Sequence, residues 1–147
     1  MDSNKWTLKT REAVEGAIGI ASQRSNPEVV LAHLGLALIS QDDGLAVPIL
    51  QALGQQVPAI RNRLEEEIAR LPRSYGTQPQ LSRVVRDLLD RADSIRSEMG
   101  DDYLSVEHLM LAMPETFGSD RDALANALAQ VRGSHRVTTQ NPEETYR

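Results

Sequence analysis

The residues in this sequence best suited to acid–base or metal chemistry are two histidines, His33 and His108, which lie 75 positions apart in closely similar surroundings. The first occurs in Val30-Leu31-Ala32-His33-Leu34-Gly35-Leu36-Ala37-Leu38 and the second in Ser105-Val106-Glu107-His108-Leu109-Met110-Leu111-Ala112-Met113. A pair of imidazoles could hold a metal ion, and Glu107 beside His108 could form a catalytic dyad. Either site needs further converging donors, and no HExxH or comparable spacing supplies them. No nucleophile, base and orienter occur together. The absence of cysteine excludes thiolate metal sites, thiol catalysis and disulfides. None of the nine glycines belongs to a GxxxxGK[ST] phosphate loop. The expectation is therefore a chain that is not an enzyme, holds no metal or other cofactor, and neither binds nor hydrolyses ATP. Equivalent placement of the histidines then reflects a shared structural role, with each imidazole hydrogen-bonded near the start of a helix.

The same offset of 75 places Thr7 on Ser82, Val14 on Leu89, Ala17 on Ala92 and Ile20 on Ile95. Self-similarity at one offset over two separated segments indicates a unit copied and stacked on itself to bury a face it cannot bury alone. Two copies in 147 residues make one compact pseudo-twofold domain. Leu, Ala, Ile and Val dominate while aromatics make up 3%, which favours helix packed on helix, an all-α fold. A net charge of -5 argues against nucleic acid or anionic membranes as main partners. No run approaches the roughly 18 apolar residues of a membrane helix, and the first residues do not read as a secretory signal, so the expected location is cytoplasmic.

Taken in order, Thr7 caps a helix to Ser22 whose apolar positions Val14, Ala17, Ile18 and Ala21 share a face, and Ser25-Asn26-Pro27 ends it. A buried helix follows from Leu31 to Ile39, then a short one from Ala46 to Leu53 closed by Gly54. Pro58 opens a fourth, striped by Ile60, Leu64, Ile68 and Leu71, which Pro72 stops. Residues 73–80 read as a linker between copies occupying 7–72 and 81–133. In the second copy Ser82 caps a helix striped by Leu81, Val85, Leu88, Ala92, Ile95 and Met99 and ended by Gly100, and Ser105 caps the second histidine helix, which Pro114 ends. From His33 to Leu71 there are 38 positions but from His108 to Val131 only 23, so the second copy lacks about fifteen residues, the size of the Ala46–Leu53 helix with its turns. Phe117 is expected to cover the gap, before a last helix capped by Ser119 and carrying Leu124, Leu128 and Val131. Residues 134–147 read as a polar linker or tail. The acids Glu65, Glu66, Glu67, Asp120 and Asp122 fit solvated helix faces, and Met110 and Met113 fit core positions better than an adaptable binding surface.

With the segments Ala32-His33-Leu34-Gly35-Leu36-Ala37-Leu38, Arg70-Leu71-Pro72, Gln78-Pro79-Gln80-Leu81-Ser82, Gly100-Asp101-Asp102-Tyr103-Leu104-Ser105 and Val131 to Tyr146, the chain resembles the N-terminal domain of the Clp family of AAA+ unfoldases, most closely the ClpB disaggregases. The resemblance covers almost the whole chain. It implies a non-catalytic domain that binds exposed hydrophobic segments of unfolded or aggregated polypeptide in a groove between the copies, within a hexameric parent whose ATPase module would begin where this sequence ends. Thr7, Asp101 and Glu107 are then groove-rim candidates and Val14, Leu89 and Ile95 apolar ones, with Leu89 and Ile95 serving equally well as core. His108 stands where some relatives carry an apolar residue, which would make the groove wetter. The alternative is a stand-alone or ClpC-like domain that docks adaptor proteins. The isolated domain is expected to be a monomer, because the copies cover each other's apolar faces.

Overall fold

A computed structural model describes residues 3–132; the expected tail, 134–147, lies outside them. Helix α1 (Leu8–Gln23) starts at Thr7, whose side-chain oxygen accepts the Thr10 N–H, and its duplicate α5 (Arg83–Glu98) starts at Ser82, which accepts the Val85 N–H in the same way. The histidine helices are α2 (Leu31–Ile39) and α6 (Val106–Ala112). The first copy is completed by α3 (Ala46–Ala52) and α4 (Val57–Ala69), the second by α7 (Arg121–Arg132). Within each copy the apolar stripes meet as the periodicity predicts: α1 and α4 pack on α2, while α5 and α7 pack on α6. Leu34, Leu38, Leu64, Leu88, Leu109, Met110, Met113 and Leu124 are fully enclosed. Met99 departs from the predicted stripe and is 37% exposed.

The helical reading omits two short strands. Strand β1 (Glu28–Val29) pairs in parallel with β2 (Gln80–Leu81), so the end of the expected linker is part of the fold. The Gln80 N–H donates to the Pro27 carbonyl and the Ser82 N–H to the Val29 carbonyl, both at 3.0 Å. Elsewhere a single parallel bridge joins Trp6 to Leu104, with the Thr7 N–H on the Leu104 carbonyl at 2.9 Å. Adding 75 to Trp6 and Val29 gives Leu81 and Leu104, so the two pairings are duplicates of one another. Each copy's entry segment is therefore hydrogen-bonded to the other copy, just before its histidine helix. Strands of two residues are too short to leave an alternating pattern.

The second copy lacks a counterpart of α3. Its place is taken by a single 3-10 turn, Pro114–Phe117, and Phe117 is fully buried, as the shortened spacing predicts. This turn lies against α2 at Gly35, where a Cβ would stand 2.9 Å from Thr116 Cγ2 and 3.2 Å from Leu64 Cδ1, a space only glycine leaves open. Helix α3 reaches across to α6 and α7 and so binds the copies together. After α1 and α5 the chain turns through the left-handed region, at Gly100 (φ 74°) in the second copy and at Ser25 (φ 58°) in the first, where a side chain makes the same turn costly.

Candidate functional site

Both histidines are third residues of their helices and fully buried, and both close the helix start from within. The Val30 N–H donates to His33 Nδ1 at 2.9 Å, and the Ser105 N–H donates to His108 Nδ1 at 2.8 Å. This is the role a capping-box Glu or Gln plays at the same position. Because Nδ1 accepts, the ring proton is on Nε2, which donates outward. His33 Nε2 meets Asn26 Oδ1 at 3.0 Å, and His108 Nε2 meets Asp101 Oδ2 at 2.7 Å. Asn26 and Asp101 are themselves 75 positions apart. Burial, with the nearby Arg24 charge, lowers the His33 pKa from its ordinary 6.5 to about 4. Burial also lowers His108, against the opposing pull of Asp101 and with help from Arg132 and Arg96.

Beyond the imidazoles the sites differ. In the first copy the Asn26 amide nitrogen donates to the Pro72 carbonyl at 3.0 Å. Allowing for the fifteen missing residues, the position matching Pro72 is Arg132, and its guanidinium donates to Asp101 Oδ1 and lies 3.4 Å from Glu107 Oε1. Arg96 donates to the Asp101 backbone carbonyl at 2.7 Å. Asp101, Glu107 and His108 bring ligand-type atoms within 4.8 Å of one another. They do not fit a metal centre, because the guanidinium already supplies the cation and His108 Nε2 is committed as a donor. Arg132 escaped the sequence reading because it lies 31 positions from Asp101, on a helix end that reads as solvated.

All seven sequence candidates, Thr7, Val14, Leu89, Ile95, Asp101, Glu107 and His108, are at most 6% exposed. Thr7, Asp101 and Glu107 thus form no solvent-facing rim in this conformation. Thr7 is bonded to Leu104, whose carbonyl accepts from both the Thr7 N–H and the Thr10 hydroxyl, while Asp101, Glu107 and His108 come together in the charged cluster. Val14 and Leu89 are on the buried faces of α1 and α5. Ile95 reaches a surface depression of about 330 Å³ between α5, α6 and the start of α7, floored with Leu111 and Pro114 and edged by Arg91, Glu98 and Arg121. A duplicate depression of about 340 Å³ lies in the first copy beside Gly16, Ile20 and Ala37. The acids Glu65, Glu66 and Glu67 are each within ion-pair distance of an arginine, namely Arg24, Arg70 and Arg63. No helix among the described residues is long and apolar enough to cross a membrane.

The family described as the Clp repeat (R) N-terminal domain matches residues 5–127. Chaperone protein ClpB of Mycobacterium tuberculosis is 39% identical over 158 positions, covering 99% of this chain, and ClpB of Bacillus cereus is 37% identical over 161 positions with the same coverage. The chain spans 19% of the length of each of these relatives. The Hsp104 N-terminal domain from Candida albicans superposes with a TM-score of 0.80 at 16% identity, covering 95% of this chain and 99% of that one. The N-terminal domain of the ClpV1 ATPase from E. coli EAEC gives 0.77 at 22% identity, covering 95% and 91%. A ClpV N-domain in complex with a VipB peptide gives 0.70 at 22% identity, covering 89% of each chain. At these identities the structural likenesses establish the fold.

Proposed function

The chain belongs to the Clp repeat N-terminal domain family, homologous to the N-domains of ClpB chaperones, and from that membership we propose that it is the non-catalytic substrate-binding domain of a cytoplasmic ClpB-like disaggregase. It takes exposed apolar segments of unfolded or aggregated polypeptide. The observation that carries the reading is the depression between α5, α6 and α7, where Ile95, Leu111 and Pro114 form an apolar floor and charged side chains form the edge. An apolar floor with a polar edge suits an extended segment whose backbone and flanking charges stay wet. The ClpV N-domain, which shares this fold, has been captured with a VipB peptide, which supports a polypeptide as the ligand. The adaptor-docking alternative draws on an acidic face, and here Glu65, Glu66 and Glu67 are each balanced by an arginine.

A shallow site that releases many sequences binds weakly, with a Kd of tens of micromolar, equivalent to about 6 to 7 kcal/mol. The test is to titrate a permanently unfolded, carboxymethylated polypeptide into isotopically labelled chain. Amide shifts should cluster at residues 91–98 and 111–115 and weaken in a folded Ile95→Ser variant. Absence of binding at millimolar polypeptide, or shifts confined to Glu65–Glu67, would sink the reading.

A further inference from the structure

The polypeptide-binding reading meets an obstacle in the burial of Thr7, Val14, Leu89, Asp101 and Glu107. One helix, packed on α3 and α6, covers the Asp101 and Glu107 part of that interior. Helix α7 edges the depression at its first residue, Arg121, and ends at Arg132 within the Asp101–Glu107–His108 cluster. Between those ends it packs on α3 and α6, with Val131 partly buried against the core. Its buried apolar residues are Leu124, Ala127 and Leu128, whereas α4, at the corresponding place in the first copy, buries Ile60, Leu64 and Ile68. Less apolar volume means that a larger share of the helix's docking rests on the guanidinium.

We propose that α7 is a lid over the interface between the copies and that Arg132 is its latch. The inference rests on the polypeptide-binding reading and supplies its gate. Seated, the guanidinium helps to compensate two carboxylates held away from water, and withdrawing it takes a buried positive charge from beside them, a strongly unfavourable change unless water enters. The last turn of α7 is therefore either docked with the cluster dry or lifted with the cluster wet. Lifting uncovers the faces of α3 and α6 on which α7 packs, which continue the apolar floor at Leu111. The first copy has no equivalent latch, since Asn26 meets the Pro72 carbonyl through a neutral bond. Apparent affinity scales with the fraction of open molecules, so the closed conformation accounts for weak binding, and loosening the latch strengthens it.

The experiment uses the 147-residue chain as wild type, Arg132→Met, Arg132→Lys, and Asn126→Ala as a control at an exposed position of the same helix, away from the depression. Hydrogen exchange and titration with the carboxymethylated polypeptide are measured on each. In Arg132→Met the amides of residues 127–132 should exchange at least tenfold faster while those of α1 and α5 are unchanged, and the Kd should fall at least fivefold. Arg132→Lys, which keeps the charge but loses the planar fork, should give a two- to threefold effect and carries the test should Arg132→Met not fold. Asn126→Ala should match wild type. Equal affinity in all four proteins, or exchange that quickens uniformly across the chain, overturns the latch. Absence of polypeptide binding in every variant overturns the reading on which the gate depends, and selective exchange at residues 127–132 would then show that the helix end opens for another purpose.

Discussion

At His33 the outward ring nitrogen meets an amide, and at His108 the same nitrogen meets a carboxylate, although the helix start, the backbone cap and the ring position are duplicates. The consequences spread outward from that one difference. Asn26 can accept from the imidazole and donate onward, so the first site closes on a backbone carbonyl, that of Pro72. Asp101 can only accept, so the chain must bring a donor to it, and the position matching Pro72 supplies Arg132. The direction of the final hydrogen bond is thereby reversed. With Ala32 replaced by Glu107 the second site becomes a buried charge cluster, and the first remains neutral. Duplication preserved the geometry that helix formation requires and released the electrostatics behind it.

The largest effect should come from breaking the charged site. Asp101→Ala leaves both the His108 N–H and the Arg132 guanidinium without a carboxylate they now use, and should cost roughly 3 to 5 kcal/mol of unfolding free energy by denaturant titration. Asn26→Ala removes only neutral bonds and should cost about 1 to 3 kcal/mol; equal losses would show that charge does not distinguish the sites. Next comes the gap in the second copy, where Phe117 stands in for a helix. Phe117→Ala should cost roughly 3 kcal/mol or more, and an unchanged denaturation midpoint would mean that the 3-10 turn fills no core.

The smallest effect is the dependence on pH. The unfolded chain takes up a proton at His33 near pH 6.5, whereas the folded chain resists it until about pH 4. Below 6.5 the unfolded state therefore binds more protons, so stability is full above that pH and declines on acidification toward 4, by at most about 3 kcal/mol. His33→Gln, which keeps the cap acceptor and cannot titrate, should flatten this slope relative to wild type. Asn26→Asp, copying the second site, should reduce it by offering the imidazolium a counterion. A slope identical in wild type and His33→Gln would place the acid sensitivity elsewhere.

The duplicated helices, their caps at Thr7 and Ser82, and the fill at Phe117 were legible because each leaves a local mark: a period, a polar residue before an apolar stripe, a shortened spacing. The histidine role was legible as well, since two equivalent positions without converging donors point to structure. What escaped is long-range and polar. Thr7, Asp101 and Glu107 were rim candidates through the family resemblance alone, and nothing local in the sequence shows that Arg132, from the end of another helix, meets Asp101 and Glu107, or that the Leu104 carbonyl meets the Thr7 N–H. Asn26 and Asp101 share the offset but belong to no apolar stripe, so periodicity passes over them. Ser25 in left-handed geometry was equally silent, where Gly100 at the duplicate position announced its turn.

The two strand pairings make the halves interdependent. Trp6 bonds to Leu104 and Leu81 to Val29, so neither copy completes its own entry segment and each is finished by the other. Split at the linker, the halves would present identical unfulfilled edges, which is the self-complementary surface of an isologous pair. In the present chain the linker makes that pairing intramolecular, so each half meets its complement at the effective concentration of a tether. The two halves need not be alike for this to hold: the second lacks a counterpart of α3, and α3 of the first reaches across to α6 and α7.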